Sequence, residues 1–537
     1  PKLSHLHTPR LLPGAERAAE RLVDAIRNRE PIAIYGDYDV DGITATAILY
    51  HTLRAADPNA DIRTYVPHRL DEGYGLNSEA IRQLARDGAR VIVSVDCGIT
   101  ALEPARVARE CGVDLIITDH HNPPSEGEAL PDAFAIVHPR LPGSDYPFGE
   151  LCGAGVAFKL AWQFATTFAG NARVGGALQQ TLLDLLPLVA LGTIADVVPL
   201  VDENRILTGF GLHGIKQTKF TGLRALLQES GLLGENVDSE AVGFILGPRL
   251  NACGRMGHAE EAVRLFTGAT PEEAEAIAAN LAKLNRDRQQ TERRIFIEAE
   301  RMAIDRGMAE NDGRIIILAH EDWHPGVVGI VCSRLVERFG RPAILLQRSS
   351  DLCKGSARSI DGYSMSAALA SCAEHLRTHG GHDMAAGLSL APDQLDAFTE
   401  AMTAHAQAAI DRELLVPSAT IDVDTELSEL TPETVHGLGG LSPFGRGNPR
   451  PTVRLNAMRI TAPPREIGRN GRHLSMTVTD DTSSARRNLR VVWWNGAEQA
   501  LNLAAGSRID LLIHPKLNHW NGRTTVEGEI VDARRLA

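Results

Sequence analysis

The sequence predicts a mostly parallel α/β lobe, joined by a long helix to a smaller α/β lobe and followed by an all-β barrel. Three observations carry this. Residues 31–140 repeat an apolar run, a polar patch and a helical stretch, the alternation of a sheet with helices on both faces. From Pro271 to about Asp305, Ala274, Ile277, Ala278, Leu281, Leu284, Thr291 and Ile295 keep roughly helical spacing inside a charged stretch, which suits a connector between two lobes. Beyond Leu414-Leu415-Val416-Pro417, short alternating runs are separated by Gly, Pro, Asn and Asp, the signature of a small barrel. At 537 residues the chain exceeds a single core. The divisions predicted are 1–262, 263–305, 306–412 and 418–537.

Pro31-Ile32-Ala33-Ile34 reads as a buried strand, and the residues after Gly42 as a helix. Between them Tyr35-Gly36-Asp37-Tyr38-Asp39-Val40-Asp41-Gly42 sets three carboxylates at alternate positions, at the strand's carboxyl end, where open α/β sheets bind ligands. Val91 to Val95 ends in Asp96, Leu115 to Thr118 ends in Asp119-His120-His121, and Ala135 to Val137 leads to His138. Parallel strands would place these groups on one rim. Ser78 to Arg86, capped by Asn77-Ser78, and Ala101 to Arg109 are the intervening helices. Residues 155–262 read as largely helical, with Asp196 closing the apolar stretch from Leu188. A buried acid needs a partner, and a cation is the expected one; a helix cap or salt bridge is the alternative.

The smaller lobe shows a strand from Arg314 to Ala319, a helix from Val327 to Phe339, a strand from Ala343 to Gln347 and the glycine-rich Gly380-Gly381-His382. Strands of the barrel are expected at Val453 to Ile460, Leu474 to Thr479, Leu489 to Trp494, Ile509 to Ile513 and Thr524 to Val531.

Bulk properties narrow the setting. Residues 442–537 hold 15 Lys+Arg against 8 Asp+Glu, a net of +7; the whole chain carries −13, leaving −13 − 7 = −20 for residues 1–441. An acidic body with a basic tail suits metal chemistry in one place and a nucleic-acid grip in another. The seven cysteines form no C-x-x-C pair and are odd in number, which reads as free thiols in a reducing cytoplasm. By this reading no apolar run reaches the ~20 residues of a membrane span, since Leu185 to Val201 contains Pro187, Asp196 and Pro199. The N-terminus lacks a basic-then-apolar signal, and its first residue, Pro rather than Met, reads as a trimmed start.

Two motifs mislead. His320-Glu321-Asp322-Trp323-His324 matches H-E-x-x-H, but zinc ligation by that motif needs a helix, and here a strand precedes it and Pro325-Gly326 follows. Gly209-Phe210-Gly211-Leu212-His213-Gly214 matches G-x-G-x-x-G without the preceding strand or the later acid of a dinucleotide site. It reads as a glycine-spotted helix or turn.

Asp37, Asp39, Asp41, Asp96, Asp119, His120, His121 and Asp196 are therefore the candidate ligands. Many carboxylates with one or two imidazoles suit Mg²⁺ or Mn²⁺, the histidines tilting the balance to Mn²⁺. There are enough acids for two ions sharing a bridging carboxylate, the arrangement that drives in-line phosphoryl displacement. Hydrolysis of a phosphoester or phosphoanhydride is the reaction class implied.

Y-G-D-Y-D-V-D-G, V-D-C-G at 95–98, D-H-H at 119–121 and G-T-I-A-D-V-V-P at 192–199 resemble the DHH phosphoesterase superfamily. P-R-L-N-A-C-G-R at 248–255, W-H-P-G-V-V-G-I-V-C-S-R-L at 323–335, G-G-H-D-M-A-A-G at 380–387 and F-G-R-G-N-P-R-P at 444–451 narrow the resemblance to the bacterial RecJ single-strand DNA exonucleases. It covers essentially the whole chain, in the family's order. It implies one ion on Asp39 and Asp96 and a second on Asp41, Asp96, His120 and Asp196. His121 then faces the scissile phosphate, with Asp37 and Asp119 in support. Many superfamily members carry a His where this chain has Tyr35, which puts the first ion's site in question.

The resemblance further implies a 5′-phosphate pocket of Arg69, Tyr74, Ser356 and Arg358. Arg249 and Arg255 would grip neighbouring phosphates, beside a close backbone approach at Gly380-Gly381-His382. The smaller lobe becomes the DHH-associated domain and the barrel an OB-fold that binds single strands by a basic groove and stacking on Trp493, Trp494, Trp520 or Phe444. Adjacent tryptophans in a strand face opposite ways, so only one of Trp493 and Trp494 can stack. The implied activity is 5′-to-3′ digestion of single-stranded DNA to 5′-mononucleotides in repair and recombination. The implied setting is cytoplasmic and off the membrane, with the chain a monomer working beside a single-strand DNA-binding protein and a helicase. A phosphodiesterase of short oligonucleotides or cyclic dinucleotides, and an inactive DNA-binding scaffold, are the alternatives.

Overall fold

The computed structural model describes residues 2–68, 72–73, 75–125, 127–171, 173–310, 312–468, 471–480, 487–497 and 503–536. Two compact units form. One comprises residues 1–198 and 202–417, the other 199–201 and 418–537.

In the first unit β1 (Ile32–Gly36), β2 (Ile62–Tyr65), β3 (Val91–Val95), β4 (Asp114–Thr118) and β5 (Ala135–Val137) build a five-stranded sheet in the order β2-β1-β3-β4-β5. All its pairings are parallel. β1 and β3 are buried at every residue, which is why they read as continuous apolar runs. β2 escaped the sequence reading because Arg63, Thr64 and Tyr65 of this edge strand are not buried. The strand order reverses between β1 and β3, and the acids follow the carboxyl ends of β1, β3 and β4. This is the switch point at which such sheets leave a crevice.

The helix Val40–Ala56 packs against Gly153–Ala169 and Gly176–Ala195. The last of these corrects the sequence expectation about membrane spans: Pro187 lies inside a 20-residue helix that is long and apolar enough by length and composition to cross a membrane. Its residues Leu185 to Thr193 are buried in the main core instead. Lys159 of the helix Gly153–Ala169 and Glu203, both fully buried, form an ion pair, and Tyr146 donates to the same carboxylate. The G-x-G-x-x-G stretch lies within the helix Asp202–Ile215.

The connecting helix runs Pro271–Asp305, opened by a capping box of Thr270 and Glu273. Beyond it β6 (Ile316–His320), β7 (Ala343–Arg348), β8 (Cys353–Arg358), β9 (Thr378–Gly381) and β10 (Ala385–Leu390) form a mixed sheet in the order β6-β7-β8-β10-β9. Sequence reading found β6 and β7 but not the other three. The H-E-x-x-H match starts on the last residue of β6 and runs on as a loop, with Glu298 of the connecting helix accepting the Trp323 indole N–H at 2.7 Å.

The second unit pairs β11 (Val423–Asp424), β12 (Val453–Ile460), β13 (Arg465–Ile467), β14 (His473–Thr479), β15 (Asn488–Trp493), β16 (Arg508–Trp520) and β17 (Arg523–Arg535). An extra β12–β14 pairing closes the run β12-β16-β17-β15-β14 into a barrel. Trp493 is 6% exposed in its core, whereas Trp494 is 46% exposed, as alternation along a strand requires.

Candidate metal centre

The loop after β1 is shaped by short contacts. Asp39 Oδ1 caps the helix Val40–Ala56, accepting from the N–H groups of Asp41 at 2.9 Å and Gly42 at 3.1 Å. Gly42 is obligatory here, because a Cβ would sit 2.6 Å from the Asp37 carbonyl oxygen. The Val40 N–H donates to Asn251 Oδ1 at 3.1 Å. Asp41 turns inward onto the first turn of the helix Gly153–Ala169, accepting from Gly153 N–H at 2.6 Å and Ala154 N–H at 2.8 Å. A helix N-terminus favours that negative charge.

Two acids sit beside left-handed backbone. Asp96 itself has φ 62°, a conformation Asp tolerates better than most residues. Asp196 ends the helix Gly176–Ala195 and is followed by Val197 at φ 60°. A β-branched residue there is strained, and such strain collects at functional sites.

The acids and histidines converge. Ligand atoms lie within 4.8 Å of one another in three groups: Asp37 with Asp39 and Asp96; Asp41 with His120 and Asp196; and Asp96 with His120 and His121. His120 Nε2 is 3.1 Å from Asp96 Oδ1, 3.6 Å from Asp196 Oδ2 and 3.8 Å from Asp41 Oδ2. Asp37 brings a carboxylate oxygen to the group with Asp39 and Asp96. Asp119 takes another place: its Oδ1 accepts from the His121 ring Nδ1 at 2.7 Å and its Oδ2 from Ile99 N–H at 2.8 Å. Nε2 is then the His121 ring nitrogen pointing away from that bond, on a side chain 45% exposed.

The electrostatics fit a cation. Burial, then the charge of Asp39, pushes the Asp41 carboxyl up to about 7. Burial, then Asp41, Asp39, Asp196 and Asp37, pushes Asp96 well above its ordinary value. Such carboxylates are stabilised as a set by positive charge among them. Burial brings His120 down to about 3, keeping it neutral, and its buried Nε2 makes no hydrogen bond among the described residues. Oxygen donors with one neutral imidazole match Mn²⁺ or Mg²⁺. For Asp119, burial acts against the charge, but the His121 bond outweighs it and holds the carboxyl below its ordinary range. Burial likewise acts to lower His121, and Asp119 overcomes it, raising the imidazole above its ordinary value.

Tyr35 departs from the metal rim. Its hydroxyl donates to the Gly75 carbonyl at 3.0 Å and its ring packs 5.1 Å from that of Tyr65. Arg69 and Tyr74 lie outside the described residues. Of the other predicted substrate residues, Ser356 and Arg358 share one face of β8 around Gly329, where a Cβ would come within 3.1 Å of the Ser356 hydroxyl and 3.4 Å of Arg358 Nη2. Arg255 Nη1 donates across the lobes to the Gly326 carbonyl at 3.0 Å. A Cβ at neighbouring Gly254 would lie 2.6 Å from the Tyr38 carbonyl oxygen, so this helix end touches the acidic loop. Arg249 Nη1 donates to the Ile245 carbonyl at 2.6 Å. His382 is exposed just past β9.

Sequence reading missed Gly153, Ala154 and Gly192. A Cβ on Gly153 would lie 2.6 Å from Asp96 Cβ, and one on Gly192 2.6 Å from Asp41 Oδ1. The L-C-G-A-G run at 151–155 was the available signal.

Residues 31–193 match the DHH family, N-terminal domain; 312–408 match the DHHA1 domain; and 421–532 match the RecJ OB domain. The chain is 40% identical over 534 residues to the single-stranded-DNA-specific exonuclease RecJ of Bacillus subtilis, covering 99% of this chain and 65% of that protein. It is 37% identical to RecJ of Escherichia coli, covering 82% of this chain and 77% of that one. A crystal structure of RecJ from Thermus thermophilus in complex with Mn²⁺ superposes with a TM-score of 0.81 at 32% identity, covering 98% of this chain and 72% of that one. A Mg²⁺ complex from the same organism gives 0.75 at 30%, covering 98% and 71%. With all three segments matched in order and relatives of this identity along its length, the chain belongs to the RecJ family of single-stranded-DNA-specific exonucleases.

Proposed function

We propose that the chain hydrolyses phosphodiester bonds of single-stranded DNA from the 5′ end, releasing 5′-mononucleotides, with Mn²⁺ or Mg²⁺ held in the acidic cluster. One observation carries this: acids following β1 and β3 and the acid ending the helix Gly176–Ala195, remote in sequence, fall into overlapping groups whose ligand atoms lie within 4.8 Å of one another, two of them including His120. Asp39 and Asp96 would hold one ion, with Asp37 beside them. Asp41, Asp96, His120 and Asp196 would hold the other. When bound, such ions make a water nucleophilic near neutral pH and offset charge on the attacking and leaving oxygens.

The protein's own groups do the rest. Asp119 fixes the His121 tautomer and favours its protonated form, so Nε2–H is a donor to the charge that develops on the scissile phosphate. Arg69 and Tyr74, with Ser356 and Arg358, take the 5′ phosphate; Arg249, Arg255 and His382 contact the phosphates that follow. The basic barrel binds the strand further along, with Trp494 and the 74%-exposed Trp520 as platforms and Trp493 excluded by burial. In this assignment residues 1–262 are catalytic, 263–305 connect, 306–412 close on the substrate and 418–537 bind nucleic acid. The chain works as a monomer in the cytoplasm on strands that a helicase exposes or a single-strand DNA-binding protein coats; its seven free cysteines and the family's substrate support that setting.

Digestion of 5′- and 3′-labelled single strands and of duplex, with Mn²⁺ and with Asp96→Ala as control, tests the reading. The 5′ label of the single strand is expected in mononucleotides first, with duplex spared and the variant inactive. Prior release of the 3′ label, or undiminished activity of Asp96→Ala, contradicts it.

A further inference from the structure

His138 follows β5 directly, on the same rim as the acids, yet it belongs to none of the three ligand groups among the described residues. Its side chain is fully buried, and a buried imidazole needs a partner at each ring nitrogen. Both partners are present. Nδ1 accepts the Arg140 N–H at 3.0 Å, so the ring is neutral and carries its proton on Nε2. That Nε2–H donates to the His121 carbonyl at 2.8 Å, joining the segment after β5 to the segment after β4.

His121 is thereby held at three points. Asp119 Oδ1 accepts its N–H at 3.1 Å and meets its ring Nδ1 at 2.7 Å, while His138 takes its carbonyl. The incoming side of this short segment is fixed by Asp119, whose Oδ2 accepts from Ile99 N–H. On the outgoing side, residues 122–125 form neither helix nor strand. The His138 bond pins the chain where it leaves. His120 has its own anchor, since Arg140 Nη2 donates to the His120 carbonyl.

We propose that His138 is a positioning residue for His121: by holding its carbonyl, it keeps the ring's Nε2 aimed at the scissile phosphate. The inference rests on the reading that His121 donates there. Asp119 sets the tautomer and tilt of that ring, and His138 sets where the residue bearing it stands. A donor displaced by about 1 Å from the reacting group loses on the order of a hundredfold in rate, so a bond remote from the substrate acts on the chemical step. Gln is the conservative replacement, because its Nε2 stands as many bonds from Cβ as the imidazole Nε2 and donates to the same carbonyl. Leu fills the space and offers no donor.

The test measures kcat and KM on a 5′-phosphorylated single strand in saturating Mn²⁺, and Mn²⁺ affinity by calorimetry. Wild type, His138→Leu, His138→Gln, His121→Ala and the double variant His138→Leu/His121→Ala are compared, each below its own melting transition. His138→Leu is expected to lower kcat about tenfold or more, with KM and Mn²⁺ affinity within about twofold of wild type. His138→Gln should recover most of the loss. In the His121→Ala background His138→Leu should cost nothing further, because the group it acts through is gone. Wild-type kcat in His138→Leu, an equal loss in the His121→Ala background, or a fall in Mn²⁺ affinity matching the fall in kcat overturns the positioning role. So does a tenfold loss in His138→Gln, which keeps a donor in the buried site and decides the matter if the Leu variant is too unstable to assay. Unimpaired His121→Ala overturns instead the reading of His121 itself.

Discussion

Asp96→Asn is expected to lower the nuclease rate about a thousandfold, the loss of roughly 4 kcal/mol of charge stabilisation at the reacting phosphate. Asp96 has φ 62°, and Asn accepts that backbone as readily as Asp, so the substitution removes a charge without adding strain. Its effect on stability runs the other way. In metal-free protein, burial and the charges of Asp41, Asp39, Asp196 and Asp37 raise the Asp96 pKa above its ordinary 3.8. The folded chain therefore holds that proton more tightly than the unfolded chain does. Stability from this group is complete below the unfolded value and is lost as pH rises through the folded one. Asn has no such loss, so metal-free Asp96→Asn should melt higher than wild type, and by a larger margin at pH 8 than at pH 4. Saturating Mn²⁺ should reverse the order, because the ion stabilises the wild type by mass action. Activity assays with thermal melts at two pH values, with and without Mn²⁺, check all of these.

Gly153→Ala is expected to cost about a hundredfold in kcat/KM, although no catalytic group is removed. The new methyl would lie 2.6 Å from Asp96 Cβ and 2.7 Å from its Cγ and Oδ1, distances that force the carboxylate to move. A displacement of about 1 Å in a reacting group costs on the order of a hundredfold. The same helix start donates N–H groups from Gly153 and Ala154 to Asp41, so shifting it disturbs both acids. Overpacking should cost about 1–3 kcal/mol of stability, leaving a folded protein whose weakened Mn²⁺ binding can be measured. Activity within a few-fold of wild type would mean that the helix start does not set the cluster's geometry.

These two substitutions mark how far the sequence carries. β1 and β3 were legible because strands buried on both faces must be continuously apolar, and Asp96 was legible because it ends such a strand. The long helix Pro271–Asp305 was legible from its spacing, though its Thr270 capping box was not read. β8 was not, because Lys354, Gly355 and Ser356 give Cys353–Arg358 no apolar alternation. β9 was hidden for a like reason, being exposed at all four residues. The membrane-length apolar stretch of the helix Gly176–Ala195 was discounted because the run was read from Leu185 and Pro187 was taken to interrupt it, whereas the packed core tolerates that proline. Within the site, Asp39, Asp41 and Asp96 announced themselves as acids after strands, and Asp196 as an acid closing an apolar stretch. Gly153 did not, since a backbone N–H meeting a carboxylate 112 residues away leaves no side-chain signature. Nor did the left-handed turns at Asp96 and Val197, which only the assembled fold imposes.

The central claim is that the cluster is one metal centre with Asp96 common to both ions, and calorimetric titration of Mn²⁺ into metal-free protein tests it most directly. Two ions should bind per chain, with protons released as the carboxylates give them up. Because the Asp41 carboxyl is pushed up to about 7, it holds its proton at pH 6 and has largely lost it at pH 8, so more protons should leave at pH 6. A single ion bound, with proton release no greater at pH 6 than at pH 8, would contradict the account.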